Sequence, residues 1–160
     1  DHDPFVVRCA IHCLALLSLE HAAKVYDQFL ELAVPHAVYT LLYSEQIDRS
    51  AGEAILLLFA ELLHGNSEVQ GTLMRNMDCV ALLLSYHRLG FSNHTALRCH
   101  SALLSLARTA DLRRKVSSQL PALMDTIHAN LNSQRKDEMF YALASVHCAL
   151  LCQLAMYADC

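Results

Sequence analysis

The sequence predicts an all-α protein assembled from repeating helical units, and three observations predict it. The 160 residues include only four Gly and three Pro and few Val/Ile/Thr alternations, which leaves little material for hairpins and sheets. Apolar residues recur at helical spacing between recognisable start and stop residues. Similar text also returns at an interval near 43–47 residues.

The elements follow in order, about ten of them. Asp3-Pro4, an N-cap followed by Pro at the first helical position, opens a helix to about Leu19. A short helix is expected around 21–31, and Pro35 starts another over 35–44. Arg49 or Ser50 begins a long helix that ends at His64 before Gly65-Asn66, a C-cap pair. Ser67 caps a short helix to about Asn76, and Asp78 caps one to about Leu89, closed by Gly90. Ser92 or Asn93 caps the long "HTALRCHSALLSLART". Asp111 is expected to cap "LRRKVSSQ", Pro121 opens a helix over 121–131, and a last helix runs from about Gln134 to the end.

The order long, short, medium recurs, and residues superimpose with it. "ALLSL" at 15–19 returns at 102–106, two periods later, with "LFAEL" (58–62) between them and "LLCQL" (150–154) after them. Pro35 and Pro121 stand 86 residues apart at the start of their medium helices. A period near 43–47 excludes the shorter tetratricopeptide and ankyrin repeats. The text "RCHSALLSLARTADLRRKVSSQLPALMDTIHANL" resembles an armadillo/HEAT-like unit, in which a long third helix is followed by a short and then a medium one. The resemblance implies a right-handed α-solenoid of about three and a half armadillo-like units over residues 1–160, a single domain. Because both ends fall inside a unit's third helix, the chain is expected to be a fragment of a longer protein, or an array that buries its ends against a partner.

Composition narrows the setting. The longest apolar runs, such as "AILLLFA" (54–60), are cut by Glu53 and Glu61, short of the roughly 20 residues that span a bilayer, so no membrane helix is expected. The opening "DHDPFVV" lacks the basic region of a secretory signal. Seven Cys scattered through Leu-rich helical text read as reduced thiols, which places the chain in the cytoplasm or nucleus. Asn93-His94-Thr95 is then a chance glycosylation match. Residues 1–80 carry 4 Lys/Arg against 11 Asp/Glu, and residues 81–160 carry 8 against 5, a dipolar split rather than one nucleic-acid footprint.

In armadillo proteins the third helices line a concave groove whose Asn ladder grips an extended peptide. The resemblance puts that ladder on Ser18, Glu61, Ser105 and Gln153, and the family's aromatic position one turn earlier on Leu14, Leu57, Ser101 and Ala149. No Asn stands in the ladder and the chain has no Trp. An Asn amide donates to and accepts from a peptide backbone at once, which Ser and Leu cannot do, so basic localisation peptides are not the expected ligand. A groove that is apolar at one end, with Glu61 in the middle and Arg98 a further turn back from Ser105, suits a partner's amphipathic helix or linear motif instead, unless Leu14 and Leu57 pack between repeats.

Arg113 and Arg114, with Lys115 and Arg108, form a secondary electrostatic site or a solvated face. The aromatics that stack on single-stranded nucleic acid are missing, with no Tyr or Phe between 92 and 139.

The recurring His/Cys pairs invite a metal reading, since Cys9/Cys13 and Cys148/Cys152 share a helix face at i,i+4 spacing. The repeat argues for packing. Six residues before the ladder stand His12, Ile55, Cys99 and His147, and five before it Cys13, Leu56, His100 and Cys148, so one copy fills these places with Ile-Leu. The position five before lies roughly 140° from the groove, on the expected core side. No metal and no cofactor is expected. No nucleophile elbow, phosphate loop or zincin helix is present, and Asp137-Glu138 suits a helix N-terminus without acid–base chemistry. The expectation is a non-enzymatic intracellular scaffold for protein–protein interaction and complex assembly, binding through Ser18, Glu61, Arg98, Ser101, Ser105 and Gln153, with Arg113 and Arg114 second. The alternatives are nucleic-acid binding by the basic C-terminal half and self-association through uncapped ends.

Overall fold

A computed structural model describes residues 49–64, 67–132, 136 and 138–157, with 3, 5, 6, 9–11, 13, 14, 16, 17 and 40. The expected helix over 21–31, all but Thr40 of that over 35–44, Ser18, His12 and the Gly65-Asn66 stop lie outside the described residues. The chain is all-helical, with no strand among the described residues. The helices are α1 (Arg49–Leu63), α2 (Ser67–Asn76), α3 (Cys79–Leu84, continued by a 3-10 turn Ser85–His87), α4 (Asn93–Leu106), α5 (Ala110–Ser118), α6 (Leu120–Leu131) and α7 (Glu138–Ala155).

Local chemistry sets most of the boundaries. Asp3 Oδ1 accepts from the Phe5 amide at 2.9 Å, and the described residues from 5 to 17 are helical. Asp78 Oδ1 accepts from the Ala81 amide at 3.0 Å, capping α3. Gly90, at φ +66, takes the left-handed turn that ends the segment after α3. Ser92 Oγ accepts from the Thr95 amide at 3.3 Å and donates to Glu53 Oε1 at 2.8 Å, so the cap of α4 is also its tether to α1. Burial raises the Glu53 carboxyl, but hydrogen bonds from Thr95 and Ser92 and the Arg49 charge outweigh it and leave its pKa lowered. Replacing Asp78 by Ala removes one orphan amide's partner and is expected to cost about 1 kcal/mol in urea unfolding followed by circular dichroism.

One cap differs from expectation. Helix α5 starts at Ala110, behind Thr109 in extended conformation (φ −95, ψ 131), so Asp111 is not its cap but lies in its first turn, where a carboxylate favours the helix dipole.

The long helices pack side by side, α4 between α1 and α7 in the most extensive contacts of the fold. Their buried residues keep register. At an interval of 44, Ala51, Ile55, Leu58 and Leu62 of α1 correspond to Thr95, Cys99, Ala102 and Leu106 of α4, all buried. A second buried row pairs Gly52, Leu56, Phe59 and Leu63 with Ala96, His100, Leu103 and Ala107. At an interval of 48, α7 buries the first row again as Leu143, His147, Leu150 and Leu154. Its second row, Ala144, Cys148, Leu151 and Ala155, is half-buried or exposed.

The short helices repeat a bond as well. Gln70 Nε2 on α2 donates to Leu63 O at 2.7 Å, at the end of α1, and Arg113 Nε on α5 donates to Ala107 O at 2.7 Å, at the end of α4. In both cases a side chain satisfies a carbonyl that the helix end leaves without an intrahelical partner.

The absence of a membrane-length helix expected from the apolar runs needs correction. By length and composition α7, with 18 residues at mean hydropathy 1.3, is long and apolar enough to cross a bilayer, because a helix tolerates isolated polar residues that interrupt an apolar run. Here it lays Leu143, His147, Leu150 and Leu154 into the protein core.

Candidate functional site

The packing of α1 against α4 brings Glu61 and Arg98 together, with Arg98 Nη1 3.4 Å from Glu61 Oε1 and the Arg98 side chain nearly half exposed. In the same register Leu57 and Ser101 are half-buried, Ala149 is exposed, and Gln153 is half-buried. These residues give the long helices a shared outward strip, with one ion pair across its first seam.

Ser105 does not join that strip. It is buried at 8% exposure, its hydroxyl accepting from Gln70 Nε2 at 2.8 Å, so this position is occupied with tying α4 to α2. Gln70 is itself 3% exposed, and its amide nitrogen makes both bonds. The ladder expected at Ser18, Glu61, Ser105 and Gln153 therefore reaches solvent at Glu61 and Gln153, and Ser18 falls outside the described residues.

The basic group is largely committed to holding α5. Arg113 donates to Ala107 O and, at 3.2 Å, to Arg108 O, while its guanidinium lies 3.8 Å from the centre of the Tyr157 ring. Lys115 Nζ donates to Met74 O at the end of α2. Among the described residues Arg114, 77% exposed, pairs with Asp111, 88% exposed, at 3.8 Å. A pair so open to water contributes little, so the Arg114 charge remains available to a partner.

The His/Cys motifs divide in two. Cys99, His100 and His147 are buried, whereas Cys148 and Cys152 are exposed. The core-facing expectation thus fails at Cys13 and Cys148, both exposed; on α7 the face beside the α4 contact carries Cys148 outward. Burial pushes the Cys79 thiol up to about 12 and the Cys99 thiol higher still, which makes both poor nucleophiles. Among the described residues no group of three or more His, Cys, Asp or Glu converges as a metal site would require.

A polar network that periodicity could not reveal lies between α3, α4, α6 and α7. Tyr86 hydroxyl and His100 Nε2 stand 2.8 Å apart, and Asn130 Nδ2 donates to the same hydroxyl. The His100 and His147 rings meet edge to face, centroids 4.4 Å apart. His100 Nδ1 and both His147 ring nitrogens have no hydrogen-bond partner among the described residues.

Clefts open on this framework beside the shorter helices. One of about 460 Å³ lies between α3 and α6, lined by Leu84, His87, Arg88, Ala122 and Asp125 among others. A larger one, about 610 Å³, lies between α5, α6 and the end of α7, with Arg113 and Arg114 among its lining residues and an apolar floor. Leu120, Met124 and Leu151 of that floor carry no distinguishing signal in the sequence, because each sits within an ordinary apolar helical pattern. Comparison with protein-family models, curated proteins and solved structures finds no match.

Proposed function

We propose that this chain is an armadillo/HEAT-like helical-repeat module that works as a non-catalytic scaffold in the cytoplasm or nucleus, binding a helix or short linear segment of a partner protein on the outward strip of its long helices. The observation that carries this reading is the register: three adjacent long helices bury an equivalent row of residues at intervals of 44 and 48, and at one further equivalent position Leu57, Ser101 and Ala149 all reach the surface. A surface built by repetition suits an elongated ligand that makes the same kind of contact at each repeat. Glu61, Arg98, Ser101 and Gln153 are its polar contacts. The commitment of Arg113 and Lys115 to main-chain carbonyls weighs against the basic half serving as a phosphate footprint.

Proximity capture in cells, followed by mapping of the bound segment, provides the ligand for the test. Glu61→Lys and Arg98→Glu are each expected to weaken that segment at least tenfold, while the unfolding midpoint hardly moves, since a partly exposed ion pair is worth about 1 kcal/mol or less. Full affinity in both variants would overturn the assignment of this surface.

A further inference from the structure

We infer that the 610 Å³ cleft between α5, α6 and the end of α7 is a second docking site, and that its occupant is an acidic amphipathic helix of a partner protein. Shape, charge and an internal precedent point the same way.

Leu120 and Met124 are one turn apart on α6, 40% and 44% exposed, and Leu151 and Ala155 are one turn apart on α7. Two i,i+4 ridges with a furrow between them form the surface into which the side-chain ridge of another helix packs. Charge then selects among helices. Among the described residues the lining contains two guanidiniums, Arg113 and Arg114, and no carboxylate. Arg113 is held in place by the carbonyls of Ala107 and Arg108, so its charge is fixed at the rim without spending any acidic side chain. An occupant with Asp or Glu flanking its apolar face meets these cations as charge-assisted hydrogen bonds, whereas a basic one is repelled.

The precedent is α5 itself. It is tied to the end of α2 by Lys115 on Met74 O, and it buries Leu112 and Val116, an i,i+4 apolar pair. Equivalence of Gln70 and Arg113 places the outer cleft one repeat further along. There Leu151 and Ala155, at positions buried in the other two long helices, are left open to the cleft. A helix with apolar residues at i and i+4 is thus the shape this fold already accepts at the preceding step.

The test uses a phage library of stapled helical peptides, randomised on all faces and selected on the purified 160-residue chain, with affinities read by fluorescence anisotropy. Selected sequences are expected to carry an i,i+4 apolar pair flanked by Asp or Glu. Met124→Glu and Arg114→Glu, both at exposed positions, should each weaken them at least tenfold. Peptides with the acids changed to Lys should fail on the wild type and recover on Arg114→Glu. The site is separate from the strip proposed above, so Glu61→Lys and Arg98→Glu should leave these affinities unchanged. The inference is overturned if no peptide is selected, if the selected peptides are basic or uncharged, or if Met124→Glu binds them as the wild type does. It is also overturned if the chain sediments as a dimer that Met124→Glu dissociates, since the cleft then belongs to a second copy.

Discussion

Between pH 6.5 and 4 the protein is expected to lose roughly 3 kcal/mol of stability through His147 alone, with His100 adding to the loss. Burial holds His147 down to about 4, and burial together with the neighbouring His147 charge holds His100 well below the ordinary value. The sign follows from proton counting. Above about 6.5 the rings are neutral in both states and the full stability is present. As pH falls, the unfolded chain takes up protons that the folded rings refuse, so stability drops by up to about 1.4 kcal/mol per pH unit for each ring. For His147 the drop ends near pH 4, where the folded ring finally protonates. Urea unfolding at pH 7.5, 6.5 and 5.5 measures the slope above the range where carboxylates titrate. His147→Leu should flatten it by one ring's share. At pH 7.5 the same variant should be as stable as the wild type or more so, because it removes two buried ring nitrogens with no described partner. An unchanged slope would show that His147 charges without disturbing the α4–α7 contact.

This pair also marks where the sequence stopped being informative. The helix boundaries were legible wherever one residue closes a local hydrogen bond. Asp78 and Ser92 cap as their positions predict, and α2 spans Ser67–Asn76 as read. The Asp111 cap misled because Thr109 supplies the backbone geometry without a side-chain bond, which residue type does not reveal. Periodicity also placed Cys99, His100 and His147 in the core correctly. It did not reveal that Tyr86 and Asn130, 44 residues apart, share one hydroxyl with His100. The candidate surface followed the same division. Glu61 and Arg98 were both expected on the surface, but their ion pair and the loss of Ser105 to Gln70 depend on which helices pack together, which the repeat does not encode. Exposure at Cys148 depends on what packs beyond α7, and no local pattern within α7 encodes that.

The second large effect tests the register itself, at the position shared by Phe59, Leu103 and Leu151. Phe59 and Leu103 are fully buried, and Leu151 is half-buried at the edge of the core. Truncation to Ala removes both transfer energy and packing, and the void left behind costs most where the surroundings cannot collapse. Phe59→Ala is therefore expected to cost about 3–5 kcal/mol and Leu103→Ala about 2–5 kcal/mol, a large share of the roughly 5–15 kcal/mol that holds a domain folded. At Leu151 the water-facing half contributes little on folding, and Leu151→Ala should cost about 1 kcal/mol or less. Urea titrations of the three variants decide whether the gradient exists. A Leu151→Ala loss as large as that at Leu103 would mean that the open row of α7 is covered in solution. If the loss also grew with protein concentration, the cover would be a second copy of the chain. The small value, by contrast, leaves Leu151 as apolar surface whose burial energy is still unspent, and a helix docking in the adjacent cleft would draw on it.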